Sequence, residues 1–451
     1  GGHVSDKVME ELERTAEYYT SYFRARGPLT RENLSDDVNA CHIVIDHDKI
    51  YYSTIFPRTN GFYNYVSMLE RMLADWNIRG LQPIRCSFST NDWDLDVDER
   101  EFAFIVKTAS SRYKYTQSIL WPNFWDALEF SSGDCGQSVD LAREPYHLLP
   151  WNKRDSTPIF RGTLTNYPQN PKARKHTSPD RLFRDLDFAP RPYLIRYSQL
   201  HPDQVNASWT AFRLKGYTSN EFETKYLHSH YGHPNRIPRK EYYAYKFPIV
   251  IHGYGTAYRL REHFAAGACV LLHDSFLEEW YYYMMRPYVH YVPISDHMAD
   301  LQSQLEWVRK HPSETEKIGK NARKFYESFL TFRGSSDYVH SLLTRIGELQ
   351  RNINLSIFAS EKGLSLTHPK PCNSVTPQSP AKIPEISTEF SRNSTEIQED
   401  SRISRISMLE LASTSSPDIT QKFMQEDASY SYGRSYSASY RSNHVGVQFL
   451  D

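Results

Sequence analysis

YKFPIVIHGYGTAYRLREHFAAGACVLLHD, residues 245–274, holds the pattern that decides the fold. An apolar run from Phe247 to Ile251 stops at Gly253 and Gly255, and ACVLLHD (268–274) is a second apolar run. Between them, 257–267 reads as a helix with Leu260, His263, Phe264 and Gly267 on one face, where His263 is a packing residue. Strand, glycine turn, helix and strand predict a βαβ crossover whose two strands are parallel neighbours. Arg259 and Arg261 fall in the first helical turn, where the peptide dipoles already place partial positive charge. Glycines after a parallel strand let the backbone approach a ligand, and the free N–H groups that follow bind phosphate. A phosphate there would offset both the dipole and the arginines, and Arg259, nearest the turn, is the better candidate for direct contact. A lone G-x-G also reads as a plain turn with arginines reaching to solvent.

The same alternation extends outward. Residues 5–26 read as a polar helical lead-in, HIVID and KIYYS as a hairpin near 42–53, and 62–76 as a helix burying Tyr65, Val66, Leu69, Met72 and Leu73. IRCSFS (84–89) and EFAFIV (101–106) read as strands flanking an acidic loop. Downstream, 295–330 reads as two amphipathic helices parted at Pro312. This is an α/β layer pattern. The stretch 163–240, rich in Pro, Arg, His and Tyr, yields no clear elements. After about Gln350 the chain turns Ser-rich and aperiodic, so 356–451 is expected to be a disordered tail.

Composition limits the function classes. A length of 451 residues suggests two core-forming domains with extensions. Net charge is −1, which gives no global field for nucleic acid or an anionic membrane, so any anion must be bound locally. Aromatic residues make up 14%, including 32 tyrosines and 8 tryptophans, a large supply of rings able to stack on ligands. No apolar run approaches the roughly 18 residues that span a bilayer. Five cysteines lie far apart with no zinc spacing, which allows one or two disulfides of open pairing. The chain begins at Gly1 without methionine and reads as processed or truncated, so an anchor or signal segment is left open. Sequons at Asn33, Asn206, Asn354 and Asn393 would be usable in a secretory compartment.

Three further clusters carry candidate chemistry. PIFRGTLT (158–165) offers Arg161 and Gly162 at the end of an apolar run, with the hydroxyls of Thr163 and Thr165; an arginine closing a strand edge is the plainer reading. Glu279 follows the second strand of the crossover, where a carboxylate can accept both hydroxyls of a ribose. STNDWDLDVDE (89–99) places Asp92 as a general base and Trp93 as an acceptor platform in a loop after a strand. The same acidic loop reads alternatively as a calcium site, lacking the EF-hand glycine and glutamate, or as a D-x-D metal motif. HSHYGH (His228, His230, His233) matches no common metal spacing.

PWNKRDSTPIFRGTLT (150–165), residues 245–294 with RPYVHYVPI, and the DL at 300–301 resemble glycosyltransferase family 90. That family holds the fungal capsule-associated proteins and the Rumi-type protein O-glucosyltransferases, and the similarity covers about 40–335. It implies a GT-B fold: two Rossmann-like domains facing a central cleft, an acceptor-side one at 40–148 and a UDP-sugar-binding one at 149–312. These would be flanked by the helical lead-in (1–39), C-terminal helices (313–355) and the tail. It also implies an inverting transfer of glucose or xylose from a UDP-sugar to a protein Ser/Thr or glycan hydroxyl. No metal or other cofactor is expected, and neither is a nucleic-acid partner. Asp92 matches the family's base, Arg161 its F-R-G arginine, Arg259 its phosphate-facing arginine and Glu279 its acidic nucleotide contact. The donor site is expected to comprise Arg161, Gly162, Thr163, Thr165, Gly253, Gly255, Thr256, Ala257, Tyr258, Arg259 and Glu279. Ala257 and Ala268 stand where the family usually has serine, and Thr256 is the adjacent hydroxyl able to compensate for the first. The rival readings are a catalytically inactive UDP- or acceptor-binding protein and a D-x-D, metal-dependent transferase. The implied compartment is the lumen of the endoplasmic reticulum or Golgi; the final VQFLD is not a KDEL-type signal, which leaves the Golgi open.

Overall fold

The computed structural model describes residues 6–26, 41–47, 49–53, 60–76, 81–88, 104–106, 109–110, 119–131, 135, 149–165, 189–213, 227–253, 255–275, 277–296, 298–355 and 364–372. The chain divides into residues 1–383 and 384–451, and every described residue belongs to the first unit.

The N-terminal hairpin forms as the sequence suggests. Strands β1 (Cys41–Asp46) and β2 (Lys49–Ser53) pair antiparallel, with Asp46 opposite Lys49 across a tight turn. His47 in that turn takes φ 55°. Ile43, Val44 and Ile45 are all buried, so β1 is covered on both faces. β3 (Ile84–Phe88) adds antiparallel to β1, and β4 (Phe104–Val106) and β6 (Ile119–Leu120) continue in parallel. Helix α2 (Asn60–Asp75) buries Phe62, Tyr65, Val66, Leu69, Met72 and Leu73 at helical spacing and packs against α3 (Phe124–Phe130). The lead-in α1 (Asp6–Arg26) carries buried Leu12 and Ala16 in the same core.

The second set of strands is parallel. β7 (Ile159–Thr165) pairs with β8 (Asn206–Arg213), and α4 (Pro190–Leu200) lies between them in sequence. β10 (Leu271–His273) is flanked in parallel by β9 (Ile249–Val250) and β12 (Val292–Ile294). A parallel bridge, Ile159 to Pro248, carries β7 onto β9, with the Ile159 N–H bonded to the Phe247 carbonyl at 3.0 Å. The order is therefore β8-β7-β9-β10-β12, all parallel, with near-continuous burial along β7, β9 and β10 and a half-buried edge at β8. A two-stranded piece joins β5 (Ala109–Ser110) to β11 (Leu277–Glu278).

The crossover predicted from 245–274 is present, with a shorter helix. α5 spans Leu260–Ala265, not 257–267. Ahead of its start the Ala257 N–H bonds the His252 ring, and Leu260 is the first helical residue. At its end Gly267 takes φ +67°, the left-handed conformation that closes a helix. α6 (Leu301–Lys310) and α7 (Pro312–Phe325) part at His311–Pro312, as the sequence indicates. After a π turn (Tyr326–Leu330), α8 (Phe332–Gln350) returns to the first sheet. There Gln350 accepts the Arg85 N–H and donates to the Arg85 carbonyl, both at 2.8 Å, while the Tyr338 hydroxyl donates to the Leu120 carbonyl.

One expectation is corrected. The tail read as disordered from 356 contains β13 (Leu364–Thr367), which pairs antiparallel with β2 and forms the sheet edge. Its sequence, LSLT, is a strand by propensity, but the surrounding Ser-rich composition hides it. Beyond it the Lys370 N–H bonds the Glu70 carbonyl, Arg71 donates to the Lys370 and Pro371 carbonyls, and Cys372 forms a disulfide with Cys135. Cys86 and Cys269 are buried free thiols, and burial pushes the Cys86 thiol up to about 12.

The disulfide closes a loop of 237 residues, and cross-links of this kind contribute about 2–5 kcal/mol, mainly by restricting the unfolded chain. Cys372→Ala is expected to lower the unfolding free energy by a comparable amount, read from the fall of the guanidinium midpoint. Free thiols at Cys135 and Cys372 in peptide maps of non-reduced protein would contradict the pairing.

Candidate functional site

The carboxyl ends of β7 and β9 lie side by side, and the turn after β9 is held by several independent contacts. The Arg191 guanidinium, buried on α4, donates to the Ile251 carbonyl at 2.9 Å and the Thr163 carbonyl at 2.7 Å. Gly253 lies directly over it: a Cβ at that position would come within 3.0–3.1 Å of the guanidinium atoms. The Gly253 N–H bonds the Gly255 carbonyl at 3.0 Å, and the Ala257 N–H bonds His252 Nδ1 at 2.9 Å. That last bond places the imidazole proton on Nε2, which faces the Tyr282 hydroxyl at 3.4 Å. Burial, with help from His273 and Arg191, pushes the His252 pKa down to about 3, so the ring is neutral throughout the physiological range.

The two arginines of the first turn have different fates. Arg261 is buried and ion-paired with Glu129 through both terminal nitrogens, at 2.5 and 3.1 Å, and with Asp126 at 3.2 Å. Its Nε donates to the Leu330 carbonyl, and the rings of Phe130 and Tyr326 cover the guanidinium. The anion expected opposite Arg261 is therefore a pair of protein carboxylates from α3. Arg259 is half-buried and donates to the Arg161 carbonyl, where the Tyr242 hydroxyl also donates at 3.2 Å. Arg161 is buried and donates to the Phe160 and Asn206 carbonyls and to Asn206 Oδ1. Its pKa is lowered chiefly by that burial. Neither Arg161 nor Arg259 forms an ion pair with a carboxylate among the described residues. Arg259 leads out of the pre-ordered turn, and the Arg161 guanidinium lies against Asn206 at the start of β8.

The remaining expected site residues are placed as follows. Gly162 and Thr163 lie on β7 beside Arg161, and the Thr165 hydroxyl is enclosed in the interior without a hydrogen-bond partner among the described residues. Gly255 and Tyr258 are half-buried at the turn, and Thr256 and Ala257 are buried. Glu279 is fully buried, accepting from Asn123 Nδ2 at 2.6 Å, with the Thr256 and Tyr281 hydroxyls turned to the same carboxyl. Burial first, and the charge of Asp126 second, raise its pKa to about 8. Asp126 is raised to about 6 by burial, against the opposing pull of Arg261. Asp92 and Trp93 lie outside the described residues. So does the whole DWD loop. The His228 and His233 rings lie 4.5 Å apart at a tilt of 57°, and no group of three His, Cys, Asp or Glu able to hold a metal occurs among the described residues.

Three residues of this arrangement were not picked out by sequence. Arg191 sits between Pro190 and Pro192, a setting that fixes the first turn of α4, but the segment carries no periodic signal. His252 reads only as the polar residue ending a strand. Asn123, just before α3, belongs to no motif.

The model of the family described as "Glycosyl transferase family 90" matches residues 183–356. Protein O-glucosyltransferase 2 of Danio rerio is 31% identical over 313 residues, 69% of this chain and 56% of that protein. The chain belongs to glycosyltransferase family 90. Within the family, Protein O-glucosyltransferase 1 of Rattus norvegicus is 24% identical over 197 residues, covering 43% of this chain and 42% of the rat protein. Outside animals, "Uncharacterized protein 179R" of Invertebrate iridescent virus 6 is 25% identical over 220 residues, 47% of this chain and 18% of the viral one. This family 90 chain thus matches 56% or less of the length of each of these relatives.

Two outcomes follow from the buried charges. Folding raises the Glu279 pKa, so between its unfolded value and about 8 the folded state binds the extra proton and stability falls as pH rises. Thermal melts from pH 5 to 8 should show the wild type losing ground to Glu279→Gln across this window. A constant difference would contradict a protonated Glu279. Separately, Glu129→Gln leaves Arg261 with a weakened partner in the interior and should destabilise the fold by about 3–5 kcal/mol in urea titration.

Proposed function

We propose that this family 90 chain is a glycosyltransferase that moves glucose or xylose from a UDP-sugar to a protein Ser/Thr or glycan hydroxyl, with inversion and without a metal. The observation that carries the reading is the pair Arg161 and Arg259. Their charges meet no carboxylate among the described residues, and Arg259 leads out of a turn ordered by Arg191 and His252 and reaches the Arg161 carbonyl. A diphosphate is the anion that suits two guanidiniums and adjacent backbone N–H groups. Arg259 would exchange its carbonyl contact on β7 for a phosphate oxygen. The names of the animal relatives point to a glucosyl donor and a protein acceptor.

In this reading an acceptor oxygen attacks C1 of the sugar as the bond from C1 to the phosphate oxygen breaks. The departing UDP keeps the electron pair, and Asp92 takes the acceptor proton while Trp93 supports the acceptor. Arg259 and Arg161 stabilise the charge that grows on the leaving diphosphate. Gly253, Gly255, Thr256, Ala257 and Tyr258 form the turn beneath it, and Gly162, Thr163 and Thr165 form the neighbouring strand end. Glu279 belongs to the support of this turn through Thr256, beneath the nucleotide. The architecture suited to this chemistry is GT-B, with an acceptor-side domain over 40–148 and a donor-binding domain over 149–312. The separate hydrogen bonding of the mixed sheet and of the parallel set β8-β7-β9-β10-β12 supports that division. A luminal compartment, endoplasmic reticulum or Golgi, is favoured by the Cys135–Cys372 disulfide. Among the described residues no helix is long and apolar enough to cross a membrane.

UDP release by the purified chain, followed over a panel of UDP-sugars with and without EDTA, tests the reading. Release from one sugar that survives EDTA is expected, with Asp92→Asn abolishing transfer and Arg259→Ala raising the donor KM as well. Loss with EDTA would point to the DWD loop as a metal site. Full transfer by Asp92→Asn would remove Asp92 from its role. UDP binding without release from any sugar, supplied with peptide acceptors, would favour the inactive binding protein that Ala257 and Ala268 suggest.

A further inference from the structure

We propose that His252 is a positioning residue that pre-forms the donor turn by taking the Ala257 N–H on Nδ1. This rests on the reading of 253–259 as the diphosphate-binding turn.

The argument begins with where the backbone hydrogen bonds go. A helix leaves its first N–H groups without intrahelical partners, and in a phosphate-binding turn those groups face the ligand. The Ala257 N–H lies ahead of that set, three residues before the first residue of α5, and is held by a side chain that precedes it by five residues. The bond closes a loop over 252–257 and ties the start of α5 to the end of β9. The ring doing this is buried, 1% exposed, and its other nitrogen faces Tyr282, which follows β11 in the chain. Arg191 fixes the same turn from the β7 side by holding the Ile251 and Thr163 carbonyls. His273 and Arg191 are the ionisable neighbours that oppose a charge on the ring, and Tyr282 accepts from it. A neutral imidazole is needed, because only an unprotonated Nδ1 accepts an N–H. The bond holds Ala257, two residues before Arg259, in place before any donor arrives. It therefore fixes where the Arg259 guanidinium stands relative to Arg161.

The two nitrogens can be separated by substitution. Asparagine places an acceptor oxygen where Nδ1 stands, glutamine places its amide near Nε2, and leucine supplies neither. His252→Asn, His252→Gln and His252→Leu are prepared in the full chain and checked for folding by thermal melts. Amide hydrogen exchange is then followed at 256–259 without ligand, and UDP affinity is measured by calorimetry. Leucine and glutamine should lose protection at Ala257 and weaken UDP about tenfold, as a lost buried hydrogen bond does, while asparagine retains both. Donor KM should rise more than kcat falls, and the effect should show no titration between pH 6 and 8. Protection at Ala257 that is equal in all four proteins would overturn the proposal, as would unchanged UDP affinity in His252→Leu while Arg259→Ala weakens it. Failure of the wild type and Arg259→Ala alike to bind UDP would instead remove the donor turn itself, and the proposal with it.

Discussion

The buried guanidinium of Arg261 is the constraint on which the rest of the arrangement depends. It joins α5, which follows the donor turn, to Asp126 and Glu129 on α3 and to the Leu330 carbonyl at the π turn. Moving such charges out of water is costly, and the cost is recovered only when the geometry satisfies every donor and acceptor. Small shifts of α3 against α5 are therefore opposed steeply, not gradually. The Asn123–Glu279 bond supplies a second tie between the start of α3 and the segment after β11. Together they make one body of the mixed sheet's far end and the parallel crossover, which explains why one buried cluster runs from Ile43 through Phe264 to Leu342.

This division of labour explains how neighbouring arginines differ. Arg261 has its counterions inside the protein and acts as a fastener. Arg259, two residues earlier, reaches the β7 strand and, among the described residues, meets a carbonyl and the Tyr242 hydroxyl but no carboxylate. A charge held in place yet not neutralised is favourable for binding an anion, because the protein bears the ordering cost before the ligand comes. Arg191 does for the strand ends what Arg261 does for the helices, since its guanidinium bridges two carbonyls that would otherwise face each other across β7 and β9.

Much of the fold was legible where local signals agree with the tertiary outcome. The hairpin at 41–53, α2 and the parallel β9–α5–β10 unit all follow from periodicity and turn glycines. The helix limits of α5 were not legible, because a side-chain bond from His252 and the left-handed Gly267 overrule propensity there. The candidate site was legible in part. Arg259 and Arg161 stand together at the turn, but the partners of Arg261 lie 132 residues away for Glu129, beyond any local pattern. Glu279 reads in the sequence as a ribose contact after a strand; its enclosure and its bond to Asn123 were not legible, since nothing local announces Asn123. β13 was missed for a different reason: four residues of ordinary strand propensity become a strand only because β2 offers an open edge.

The placement of β13 at that edge also sets a schedule for biosynthesis. Strand β2 is made early, yet its outer hydrogen-bonding edge waits for a partner from the far side of the second strand set. Cys135 likewise waits for a cysteine 237 residues downstream. At ordinary translation speed that interval is on the order of ten to fifty seconds. During it the nascent sheet carries an unpaired edge and an unmatched thiol, features that invite chaperones and disulfide-exchange enzymes. Completion of the first sheet is thus one of the last events in assembly, although its strands are among the first to emerge.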